Sequence, residues 1–108
     1  MLSVIIPSWK DPLLIKTIDS ILANSGLGND IEIIAVLDGY WPTFELRGDP
    51  RVRYIHLGKN VGMREAINSG VRIARGQYIM RTDEHCMFGK DFAKIVLETI
   101  KPNWIVTM

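Results

Sequence analysis

The chain has 108 residues, 47% of them hydrophobic, and its thirteen basic and twelve acidic side chains leave a formal charge of +1. That length supports one hydrophobic core and not two, and the charge balance gives no bulk attraction to nucleic acid or to an anionic membrane. The single cysteine excludes an internal disulfide; with no secretory leader and no apolar run approaching about 18 residues, a reducing cytoplasm is the expected location.

Strand and helix signals alternate from end to end. Residues 2–7 and 31–37 are near-continuous apolar runs, as expected of strands covered on both faces. Between them Leu14, Ile18, Ile21 and Leu22 recur at helical spacing after Asp11 and Pro12, and Gly26 supplies a stop. Residues 38–50 have no period and contain Gly, Pro and Asp, which predicts a long loop. A strand over 52–57 follows, then a helix whose apolar stripe is Met63, Ile67, Gly70 and Ala74, a strand over 77–82, a helix with Phe92, Ile95, Val96, Thr99 and Ile100 on one face, and a strand over 104–107. Such alternation predicts a single α/β domain over 1–108, with helices layered on a mainly parallel sheet.

In open parallel sheets ligands collect at the carboxyl ends of strands, where strand order reverses. That rule selects Pro7, Ser8, Trp9, Lys10 and Asp11 after the first strand, Asp38, Gly39 and Tyr40 after the second, and Asp83, Glu84 and His85 after the fourth. With the first strand central and the second and fourth beside it, the three ends meet in one crevice. Side chains two residues apart on extended backbone point the same way, so Asp83 and His85 can contact one cation. Oxygen with one imidazole suits Mn²⁺, and Mg²⁺ less well; zinc would call for more soft ligands, of which only His56 and Cys86 remain. The competing reading makes Asp83 a turn residue and His85 an exposed imidazole.

In order and spacing these segments resemble the nucleotide-sugar-binding half of the glycosyltransferase-A fold, as in the family 2 glycosyltransferases. Residues 3–9, Ser-Val-Ile-Ile-Pro-Ser-Trp, are similar to the family's opening strand, and 33–39, Ile-Ile-Ala-Val-Leu-Asp-Gly, to its second. Lys59, Asn60, Val61 and Gly62, then Asn68, Ser69 and Gly70, then residues 74–79 resemble the stretch leading to its metal motif. That motif is Asp-x-Asp in most members. Here Asp83, Glu84, His85 and Cys86 resemble the Asp-x-His-Cys of the polypeptide N-acetylgalactosaminyltransferases, as residues 62–66 resemble a Gly-Leu-x-Arg-Ala segment of theirs.

The resemblance implies a Rossmann-like three-layer sandwich that binds a UDP-sugar through a divalent cation held by Asp83 and His85. It implies that Asp38 accepts the N3–H of uracil, an ionised carboxylate being acceptor-only; the alternative is ordering of the loop around Gly39. Pro7, Ser8 and Asp11 would line the nucleoside end, although Asp11 can equally cap the first helix. Trp9 faces the nucleoside or packs. Gly62 and Arg64 begin the second helix, where backbone amides and a guanidinium favour an anion; diphosphate or sugar is the expected contact of Arg64, against a solvated arginine. Leu37 replaces a frequent Asp. Arg81 stands where an apolar or aromatic residue is usual and needs a partner, which Glu84 could supply; Cys86 reads as a small packing residue.

The acceptor site and the base of inverting members lie downstream of this region in the family. The chain is therefore expected to be the N-terminal part of a longer, metal-dependent hexosyl- or N-acetylhexosaminyltransferase, inactive by itself, with no catalytic side chain assigned and with exposed surface suited to a homo-oligomer. The alternative is a non-catalytic nucleotide-binding module. A nucleotidyltransferase is disfavoured because residues 7–12 carry one Lys and no Gly, where such enzymes have a basic, glycine-rich loop.

Overall fold

A computed structural model describes residues 1–10, 12–42, 46 and 48–82, together with the backbone of 105–107. The elements are β1 (Leu2–Ser8), α1 (Leu14–Asn24), β2 (Ile31–Leu37), β3 (Val52–His56), α2 (Met63–Ile73), β4 (Tyr78–Arg81) and β5 (Ile105–Thr107). The helix expected around Phe92 to Ile100 lies outside the described residues. All strand pairs are parallel, in the order β3-β2-β1-β4-β5. β1 is thus central, and strand order reverses between β1 and β4.

β1 and β2 are buried at all seven positions each, the pattern that their unbroken apolar runs predict for strands covered on both faces. Alternate residues face opposite sides. Leu2, Val4 and Ile6 of β1 join Ile31 and Ile33 of β2 beneath Leu14, Ile18 and Ile21 of α1, whereas Ile5, Ile34 and Val36 meet Ala66 of α2 on the other face. Helix, sheet and helix form the three layers of a Rossmann-like sandwich. Each fully buried Leu or Ile contributes about 1.5–3 kcal/mol relative to exposure, so these two clusters dominate the cohesion of the sheet.

α1 buries Leu14, Thr17, Ile18 and Ile21, a stripe of helical period. α2 departs from the expected stripe. Its buried residues are Ala66 and Gly70, with Ile67, Val71 and Ala74 partly covered, whereas Met63 is 52% exposed. The physical reason is position: Met63 is the first helical residue and stands at the carboxyl end of the sheet. Gly70 brings α2 close, since a Cβ there would lie 2.7 Å from Cγ2 of Ile5. Among the described residues no helix is long and apolar enough to cross a membrane.

At the amino end of the sheet Glu32 ties four segments together. Its carboxylate accepts Ser3 Oγ–H and the Arg75 backbone N–H, each at 2.5 Å, and Arg53 Nη2–H at 2.6 Å. Burial pushes the Glu32 carboxyl upward, but these donors, Ser3 foremost, outweigh it and hold the group below the usual carboxylate range. Ser3 Oγ also accepts the Gly76 N–H at 2.8 Å. The turn into β4 is thereby anchored to β1.

Candidate functional site

The carboxyl ends of β1 and β2 are stitched by the Asp38 N–H, which donates to the Ser8 carbonyl at 3.0 Å, and β2 is joined to the end of β3 by the Leu57 N–H donating to Leu37 at 3.0 Å. The chain then turns at Gly39, whose φ of +77° belongs to the left-handed region. Space is a second constraint there, because a Cβ would lie 2.1 Å from the Asn60 amide nitrogen. Residues 59–62 consequently close over the end of β2.

Asp38 is 4% exposed and organises that closure. Its Oδ1 accepts the Val61 N–H at 2.8 Å, and its Oδ2 accepts the Gly62 N–H and Asn60 Nδ2–H, both at 3.1 Å. A carboxylate has about four acceptor positions, and among the described residues the loop fills three of them. Gly62, the N-cap of α2, has φ 92° and ψ 163°, a region open essentially to glycine alone. Asp38 therefore sets where α2 begins, the loop-ordering role named above as its alternative, while also lining a cleft.

That cleft, of about 260 Å³, has Pro7, Ser8 and Trp9 on one side and Asp38, Asn60 and Gly62 on the other, with Met63 at its rim. Ser8 Oγ shares a buried hydrogen bond with the Tyr40 hydroxyl. Trp9 is 47% exposed, so it is not a core residue. Its ring meets Tyr40 edge-on at 5.9 Å between centroids, and Lys10 Nζ lies 4.6 Å from the ring centre. Two contacts thus fix an indole whose remaining surface borders the cleft. Trp41 stacks on His56, 3.6 Å apart and 15° from parallel, which covers one face of that imidazole.

A second cleft, of about 400 Å³, adjoins the first at Met63 and is lined by Arg64, Ile67, Asn68 and Arg81. Of the residues singled out from sequence, Pro7, Ser8, Trp9, Asp38 and Gly62 share the first cleft, and Arg64 lies in the second. Asp11, Asp83 and His85 lie outside the described residues, as does Glu84, the expected partner of Arg81. Sequence reasoning missed Asn60 and Met63 as cleft residues; only Asn60 carried a signal, through its place in the 59–62 segment.

Among the described residues no group of three His, Cys, Asp or Glu is placed to hold a metal ion. The pairing of β4 with β1 continues through Thr82, whose N–H donates to the Ile5 carbonyl at 3.1 Å; Asp83 and His85 follow in sequence, outside the described residues. One carboxylate and one imidazole form a donor set that suits Mn²⁺.

A parallel sheet with helices on both faces and a cleft at the carboxyl ends of β1 and β2 is the architecture of the nucleotide-binding half of a glycosyltransferase-A fold. The same architecture occurs in S. aureus TarS 1-349, with a TM-score of 0.76 over 90% of this chain and 31% of that one, at 18% identity. The sequence profile of glycosyl transferase family 2 matches residues 3–106, and the chain belongs to that family. It is 37% identical over 89 residues to the uncharacterized glycosyltransferase EpsJ of Bacillus subtilis, covering 73% of this chain and 24% of that one. It is 26% identical over 108 residues to an N-acetylglucosaminyltransferase of Neorhizobium galegae, covering 93% and 25% respectively. The chain spans a quarter or less of the length of the curated relatives it matches.

Proposed function

We propose that the first cleft holds the nucleoside of a UDP-sugar and that the chain is the donor-binding part of an enzyme transferring that sugar to a hydroxyl or amine acceptor. The observation that carries this reading is the convergence of Pro7, Ser8, Trp9 and Asp38 on one cleft at the carboxyl ends of β1 and β2. In this reading Asp38 accepts a base N–H besides its three loop donors, and the pinned indole of Trp9 offers a nucleobase an apolar surface.

Breaking the sugar–phosphate bond builds negative charge on the departing diphosphate, and donors preorganised toward that charge lower the barrier. Asp83 and His85 are the residues that would hold Mn²⁺ or Mg²⁺ beyond β4, where a bound dication supplies Lewis-acid stabilisation. This chain's own contribution is to bind and orient: Asp38 fixes the loop and helix start that wall the cleft, and β1 supplies its floor.

Calorimetric titration of UDP with and without Mn²⁺, on the chain and on an Asp83→Ala, His85→Ala double variant, tests the reading. Binding that strengthens with Mn²⁺ and loses that dependence in the variant is expected. Absence of UDP binding to the unaltered chain contradicts it and leaves the fold with a non-catalytic role.

A further inference from the structure

Arg81 lies on an inner strand, paired in register with Ile5 of β1 on one side and Thr107 of β5 on the other. Its Nη2 donates to Met63 Sδ at 2.6 Å, an acceptor far weaker than a carboxylate. Its Nε is buried and has no acceptor among the described residues, and none of their carboxylates pairs with it. A guanidinium does not shed its proton, and a buried donor left unsatisfied is costly. Among the described residues this half-buried charge is thus met by a thioether alone, an acceptor that a stronger one can displace from Nη2.

What surrounds it has the same sign. The cleft containing Arg81 also has Arg64 and the Asn68 amide, from one face of α2, and no acidic side chain lines it among the described residues. It adjoins the nucleoside cleft at Met63, which lines both. Two guanidiniums and an amide suit an anion with several oxygens, and a nucleotide seated in the first cleft presents such a group across Met63.

We infer that Arg81 is the principal diphosphate-binding residue of the donor site, with Arg64 as a weaker, solvent-screened contributor. The inference rests on the donor-cleft reading above. Arg64 is exposed on α2, so its interaction is screened by water and salt. Arg81 is half-buried with a desolvated Nε, so its charge-assisted hydrogen bonds count for more. On binding, Arg81 would exchange the Met63 thioether for phosphate oxygen.

The test is the affinity that the diphosphate adds, measured by calorimetry of UDP and of uridine in Mn²⁺-containing buffer with the chain and with Arg81→Met, Arg81→Lys and Arg64→Met. Arg81→Met should weaken UDP roughly tenfold or more and leave uridine within about twofold, as expected for a hydrogen bond to a charged group. Arg64→Met should weaken UDP by less than about fivefold. Arg81→Lys, which keeps the charge and loses the fork, should also lose about tenfold on UDP alone, and it decides the matter if Arg81→Met does not fold. Equal loss for UDP and uridine would make Arg81 merely structural and overturn the inference. Uridine binding without any gain from the diphosphate would overturn it while leaving the nucleoside cleft in place; binding of neither would overturn both.

Discussion

The Asp38 carboxylate holds the Gly62 amide at 3.1 Å, so the last turn of chain after β2 determines where α2 starts, 24 residues later. The same group accepts Val61 and Asn60. One buried acid thus builds a wall of the candidate donor cleft and also lines it.

Asp38→Asn should damage the protein about as much as Asp38→Ala. Both carboxylate oxygens accept a backbone N–H, one from Val61 and one from Gly62. Whichever way an amide is turned, its NH₂ faces a donor. A loss of about 1.5–3 kcal/mol in urea denaturation is expected for each variant, with UDP binding abolished; an Asn variant of undiminished stability would show that the loop does not depend on the carboxylate.

Gly39→Ala should be among the most destabilising single-methyl additions in the chain. The new Cβ would meet the Asn60 nitrogen at 2.1 Å, and the backbone φ of +77° is unfavourable for alanine. A cost of about 2–4 kcal/mol is expected from strain and overpacking together, read as a lowered melting temperature. Gly48, with nothing within 4 Å of its Cβ position, is the control that should tolerate alanine.

Glu32 predicts an acid-sensitive sheet. Its folded carboxyl titrates below the unfolded value of about 4.3 because Ser3, Arg75 and Arg53 stabilise the charged form against burial. The unfolded chain therefore takes up the proton first as pH falls. The contribution is fully present above the unfolded value and is lost as pH drops through the lower folded one. Glu32→Gln should be less stable at pH 7 by about 1–3 kcal/mol, and its gap from the parent should narrow below about pH 4; a gap constant with pH would remove Glu32 as the titrating group.

Trp9→Ala should separate binding from stability. The indole is 47% exposed and held by Tyr40 and Lys10 at the cleft edge. Its removal is expected to weaken uridine about tenfold, in the range of base–aromatic stacking, while changing the melting temperature by only a few degrees. Unchanged uridine affinity would move Trp9 out of the site.

The sheet was legible in the sequence because β1 and β2 are short apolar runs bounded by Pro, Asp and Gly, and such runs are local signals. The positions of Pro7, Ser8 and Asp38 followed from the strand-end rule. What Asp38 holds did not, because its partners arrive 22 to 24 residues later from a loop with no period of its own. Glu32 is similar: a lone acid in an apolar strand, with partners 21, 29 and 43 residues away. Met63 misled by its spacing. An apolar residue at helical period reads as core, but the first residue of α2 stands at the sheet end, where two clefts meet.

The most direct test of the donor cleft is a ¹⁵N-resolved NMR titration of the chain with UDP in the presence of Mg²⁺, which avoids paramagnetic broadening. The account predicts that the largest shifts fall on the amides of Ser8, Trp9, Asp38, Asn60 and Gly62 and on the Trp9 indole, with Ser3, Glu32 and Arg75 at the far end of the sheet unmoved. Shifts centred on Glu32 and Arg75, or none at saturating UDP, would contradict it.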